Sequence, residues 1–201
     1  LLALRDTLPG LAALSGRLTG LAATRSLPRF RRDFFRDAEA DRPGDGRSAG
    51  VVLLADTFNR WFEPENLRAA VRVLAATGVP VHAAADDAGR PLCCGRTYLA
   101  AGLVDEARAE AKRMVAALLP HIRSGRPVIG LEPSCLLTLR DEFLALLPGE
   151  DTTALSQSAF LFEEWLVAAA ARGEIAPPFE ARPGEAYSHG RCQQKALRVF
   201  S

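Results

Sequence analysis

The chain has 201 residues, 48% of them hydrophobic and 24% charged, and 25 Lys and Arg nearly cancel 24 Asp and Glu to leave a formal net charge of +1. That balance argues against disorder and against a general nucleic-acid-binding surface, and the length suits one domain, or one with an appendage. No apolar run approaches the roughly 20 residues of a membrane helix, and no charged, apolar, small-residue order marks a secretion signal, so a cytoplasmic protein is expected, at most peripheral to the inner membrane.

Residues 1–23 repeat leucine at helical spacing (Leu8, Leu11, Leu14, Leu18, Leu21) but carry Pro9, Gly10, Gly16 and Gly20, which predicts an imperfect amphipathic helix or two short ones. The chain opens at Leu1 inside that pattern and without methionine, as expected of a piece of a longer protein. Residues 24–50 lack a sustained period and hold the cluster Arg29-Phe30-Arg31-Arg32-Asp33-Phe34-Phe35-Arg36. The expected role is an arm packing aromatic anchors on its own domain; the other reading is a docking surface for an acidic partner or nucleic acid. Residues 1–49 thus form an extension and linker, and 50–201 a regular domain.

From Gly50 the pattern changes. Val51 to Ala55 is a short, wholly apolar run of the kind found in buried parallel strands, ending at Asp56-Thr57-Phe58-Asn59. Pro64 opens a helix with Leu67, Ala70, Val71 and Leu74 on one face, and Gly78 closes it. Val79 to Ala85 reads as a second strand, Leu103 to Leu119 as a strong helix, and Arg126 to Leu131 as a third strand ending at Glu132-Pro133-Ser134-Cys135. Leu136 to Leu147 and Thr152 to Ala171 read as two further helices, and Ala186-Tyr187-Ser188 as a brief fourth strand leading into His189-Gly190-Arg191-Cys192. Strand and helix alternating over about 85 residues imply an α/β fold, with right-handed crossovers and a parallel sheet of about four strands flanked by helices.

Sites in such sheets gather beyond the carboxyl ends of the strands. Asp56, Cys93, Cys94, Cys135 and His189 to Cys192 all fall there, so residues remote in sequence are expected to meet at one edge. Four cysteines in a reducing compartment point to metal, cluster or catalytic use before disulfides, and four thiolates suit either an iron-sulfur cluster or structural zinc. Gly95 would turn the vicinal pair inward, and Arg90 and Arg96 would lower the thiol pKa values. The competing reading makes Cys93 and Cys94 small buried core members. His82 and His121 read as bystanders; His189 is a ligand or a hydrogen-bonding neighbour.

Taken together, Asp56-Thr57-Phe58-Asn59-Arg60-Trp61-Phe62-Glu63-Pro64-Glu65, Cys93-Cys94-Gly95-Arg96 and Gly130-Leu131-Glu132-Pro133-Ser134-Cys135-Leu136-Leu137-Thr138-Leu139-Arg140-Asp141-Glu142 resemble the cysteine-rich "CCG" domain of FAD-linked oxidoreductases. The resemblance is specifically to the C-terminal iron-sulfur part of D-lactate or D-2-hydroxyglutarate dehydrogenase-type proteins, relatives of the glycolate oxidase iron-sulfur subunit. It implies that Cys93, Cys94, Cys135 and Cys192 are the thiols of a metal or iron-sulfur site, with Asp56, Glu132, His189 and Arg96 as neighbours. Asp56 and Glu132 stand where many such domains have cysteine, and the last motif has Arg191 and Gln193 where close relatives have histidine. The implied role is electron transfer for an FAD-dependent 2-hydroxyacid dehydrogenase, the FAD lying in a missing domain or partner subunit beside a ferredoxin-type iron-sulfur segment. No flavin-binding segment or ferredoxin cysteine run is found in these residues. Self-association is left open. The alternative from another class is a structural zinc or metal-free module that organises the flavin subunit. A weaker third is a thiol-disulfide enzyme, disfavoured because no CxxC stands at a helix start.

Overall fold

The structure, a computed structural model, describes residues 2–44, 49–86, 89–176, 179–180, 183–185, 187 and 189–197. Two short helices come first, α1 (Leu2–Thr7) and α2 (Leu11–Thr19), parted at Pro9 and Gly10 as the leucine pattern allowed. The buried Arg5 ties them together, bonding Ser15 Oγ at 2.9 Å and the carbonyls of Ala22 and Arg25 at 2.7 and 2.8 Å. Downstream, the arm lies on the domain: Arg31 N–H donates to the Trp61 carbonyl at 2.8 Å and Phe35 N–H to that of Arg60 at 3.0 Å. Phe35 is fully buried, and Arg42 bridges antiparallel to Val81.

The domain then runs β1 (Val51–Leu54), α3 (Thr57–Trp61), α4 (Pro64–Ala76), β2 (Val81–Ala83), α5 (Arg96–Ala100), α6 (Val104–Arg123), β3 (Val128–Gly130), α7 (Pro133–Arg140), α8 (Glu142–Leu146), α9 (Glu150–Ser158), β4 (Ala159–Leu161), α10 (Phe162–Ala171) and α11 (Cys192–Ala196). All strand pairings are parallel, in the order β2-β1-β3-β4. Every residue of β1 and β3 is buried, which is why these strands read as unbroken apolar runs.

Three expectations need correction. The single helix expected over 152–171 is interrupted by β4, whose Phe160 registers with Ile129 of β3. Pairing with a buried strand satisfies that backbone and overrides the local helical preference. The brief strand expected at Ala186-Tyr187-Ser188 is not the fourth strand: Tyr187 lies in none, and 186 and 188 fall outside the described residues. The helix expected over 136–147 begins earlier and divides at Asp141, giving α7 and α8.

An apolar core fills each face of the sheet. One unites Val52, Leu54 and Val128 with Met114 and Leu118 of α6, Leu136 of α7 and Leu155 of α9. The other unites Val51, Leu53 and Ile129 with Leu67 and Leu74 of α4, Trp165 of α10 and Phe35 of the arm. The chain leaves β1 for β2 on one side, covered by α4, and later reaches β3 on the other side through α6 on the opposite face. The winding direction reverses between β1 and β3, and their carboxyl ends open a crevice at that point. Among the described residues no helix is long and apolar enough to cross a membrane.

Candidate functional site

At the crevice lies a cavity of about 370 Å³ lined by Thr57 and Phe58 after β1, Cys93, Cys94 and Arg96 after β2, and Glu132, Ser134 and Cys135 after β3, with Arg191 at its rim. Three segments far apart in sequence therefore bring three of the four sulfurs to one cavity. Gly95 makes the turn after the vicinal pair at φ 74, and a Cβ there would stand 3.1 Å from the Ala107 carbonyl oxygen, so the loop can lie this close to α6 only with glycine. Glu132 caps α7, its Oε1 accepting from Ser134 N–H at 3.3 Å, and this fixes the turn that presents Cys135.

Each thiol has a distinct setting. Cys93 is part-buried, and its sulfur accepts from Gly95 N–H at 3.5 Å. Hydrogen bonding with Cys94, followed by burial, nevertheless pushes the Cys93 thiol well above the ordinary thiol range. Hydrogen bonding with Cys135 is the largest influence on Cys94, and with burial it pushes that thiol up to about 12. Cys94 and Cys135 are only 5% and 7% exposed and belong to the apolar core on the α6 face in addition to lining the cavity, so of the vicinal pair the core-member reading holds for Cys94 and not for the part-buried Cys93.

The expected lowering of the thiol pKa values by arginine is overturned. Arg90 pairs with Glu110 at 2.7 Å, Arg96 with Glu142, and Arg191 with Glu132 at 3.2 Å. Each of these cations is matched by a carboxylate and does little for a thiolate, while neighbouring thiols and burial raise the cost of ionisation.

Of the other expected site residues, Arg96 and Glu132 line the cavity. Asp56 lies just behind Thr57, is 4% exposed, and feels the Glu132 charge; burial is the main cause that raises its pKa. Cys192 is exposed at the start of α11 and is not among the lining residues, although the preceding Arg191 is. His189 is exposed and also lies off the lining. His82 and His121 sit away from the crevice, their rings 6.3 Å apart.

Sequence reasoning missed Thr57, Phe58, Thr97 and Ser134 as lining residues. Thr57 and Ser134 follow strand ends directly, and that placement was the available signal. It also missed the clamp under the cysteine loop. Glu110, 7% exposed, bonds Arg90 and Arg113, and Arg113 in turn holds Asp86 at 2.7 Å and the Pro91 carbonyl at 2.8 Å. A carboxylate on the apolar stripe of Ala107, Ala111, Met114 and Leu118 was the sign of it.

The donor chemistry of the cavity is three soft sulfurs in a largely apolar wall, which fits a thiolate-bound group. Among the described residues, however, no three His, Cys, Asp or Glu side chains are grouped to hold a metal ion as they stand. No protein-family model, characterised protein or solved structure matches the chain.

Proposed function

We propose that the domain is the iron-sulfur or metal-binding electron-transfer module of an FAD-dependent 2-hydroxyacid dehydrogenase, acting on a substrate such as D-lactate, D-2-hydroxyglutarate or glycolate. The observation that supports this reading is the convergence of Cys93, Cys94 and Cys135 on one cavity at the reversal point of a parallel sheet. The resemblance of the three surrounding motifs to CCG domains supplies the reaction class. In this reading Cys93, Cys94, Cys135 and Cys192 hold the group, which when bound accepts and passes single electrons. The Gly95 amide orients the Cys93 sulfur and favours its thiolate, and Glu132 fixes the turn that carries Cys135. Hydride removal from substrate belongs to a flavin domain or subunit, and the module works in the cytoplasm, at most peripheral to the inner membrane.

Purification without oxygen, followed by iron and acid-labile sulfide analysis, tests the proposal. Iron and sulfide in fixed ratio to the chain, lost in Cys93→Ser, is the expected result; finding neither overturns the cluster.

A second reading, a structural zinc or metal-free module organising the flavin subunit, is favoured by two observations. Cys94 and Cys135 are buried members of the α6-face core, and Cys192 stands outside the cavity. One zinc per chain, with no sulfide, would select it.

A further inference from the structure

The crevice opens beside a run of aromatic rings that nothing in the cavity requires. Phe58 lines the cavity yet is 53% exposed, and from it the rings continue to Phe62 at 6.4 Å, to Phe30 at 4.8 Å, and through Trp61 to Phe34 at 4.5 Å. Phe30 is 62% exposed. The face is rigid: Phe35 anchors the arm in the core, two backbone hydrogen bonds join the arm to α3, and the buried Arg60 side chain holds the Phe35 carbonyl at 3.2 Å.

Arginine rims this face. Arg36 stacks over Phe34 at 5.2 Å, and Arg31 is held by Asp33 at 2.9 Å and Glu65 at 3.5 Å. Arg29 and Arg32 are exposed, and among the described residues no carboxylate pairs with either. Arg29 and Arg32 thus stand beside the exposed Phe30 in the chain as two cations free of a carboxylate. Exposed aromatic residues set among arginines carry interface energy beyond what scattered apolar surface does.

We propose that this face is a docking surface for a partner protein that presents an apolar centre ringed by carboxylates. Charge decides the class of partner. Arg29 and Arg32 call for anions at the rim, while Asp33 and Glu65 on the same face would repel the continuous phosphate chain of a nucleic acid. Docking here sets the partner against the mouth of the cavity, since Phe58 belongs to both. The surface stands apart from what the cavity holds, so iron and sulfide analysis does not bear on it.

A fluorescent synthetic peptide alternating glutamate with leucine and phenylalanine is the probe, titrated into the intact chain at low salt. Saturable binding is expected, weakened roughly tenfold or more by the double reversal Arg29→Glu with Arg32→Glu, and weakened by added salt. Phe30→Ala should weaken it as well. Both positions are exposed, and an unchanged circular dichroism spectrum verifies that the fold is kept. No binding overturns the proposal, as does equal binding of a peptide with lysine in place of glutamate. Insensitivity to the double reversal, or tighter binding of a single-stranded oligonucleotide, overturns it too.

Discussion

Asp56 shows how one side chain supports both the fold and the crevice. Its Oδ1 accepts from the N–H groups of Phe58 and Asn59 at 3.0 Å each, capping α3, and its Oδ2 accepts from Asn59 Nδ2 at 2.7 Å. Asn59 Oδ1 accepts in turn from Asn66 at 3.0 Å, so the cap is the first link of a chain that joins α3 to α4. Asp56→Ala leaves three donors without a partner, two of them on the buried Asn59, and should destabilise the protein by about 2 kcal/mol, read from urea unfolding. The charge itself works against folding. Burial raises the Asp56 pKa, with Glu132 adding to it and the hydrogen bonds from Asn59 and Phe58 opposing. A carboxyl whose folded pKa lies above the unfolded value of about 3.9 gives stability that is complete below that value and is lost as pH rises through the folded pKa. Asp56→Asn cannot titrate. The stability of the parent chain relative to this variant should therefore fall as pH is raised from about 4; a rise over that interval would show that the hydrogen bonds outweigh burial.

At the scale of elements, the loop from β2 to α5 depends on α6. Arg113 binds Asp86, the carbonyls of Arg90 and Pro91, and Glu110, and thereby ties both ends of the segment that delivers Cys93 and Cys94. Arg113→Met removes those bonds and leaves Glu110 short of a partner. A loss of about 2 kcal/mol is expected, with faster alkylation of the vicinal cysteines. Burial would raise the Asp86 pKa, but the bonds from Arg113 and the Arg90 amide bring it below the ordinary carboxylate range. A depressed carboxyl stabilises above its unfolded pKa and loses that contribution as pH falls through the folded one, so the protection of amides across 89–96, taken relative to their intrinsic exchange rates, should fall in acid well before that of the sheet amides. This clamp was hidden in the sequence because its partners lie 20 to 27 positions apart, and only the misplaced charge of Glu110 betrayed it. The strands differed in the same way. β1 and β3 announced themselves because all their residues are buried, whereas β4 owes its existence to β3 alongside and is concealed in a helix-forming stretch.

For the whole molecule, alternation of strand and helix was enough to expect remote cysteines at the carboxyl edge, and Cys93, Cys94 and Cys135 do meet there. The position of Cys192 was not legible, because α11 follows a long connection whose path no periodicity dictates. The placement of the site also decides how its thiols couple to stability. Cys94 and Cys135 serve at once as wall of the cavity and as members of the α6-face core, while Cys93 stands clear of that core. In the metal-free chain, Cys94→Ser and Cys135→Ser each put a hydroxyl into apolar packing and should lower stability by about 1 to 3 kcal/mol. Cys93→Ser keeps its Gly95 partner in a part-buried place and should change stability by less than about 0.5 kcal/mol. Thermal unfolding of the three variants separates the two roles. Equal destabilisation by all of them would mean that Cys93 too is held by packing, and the loss of metal expected of Cys93→Ser could then no longer be credited to the sulfur alone.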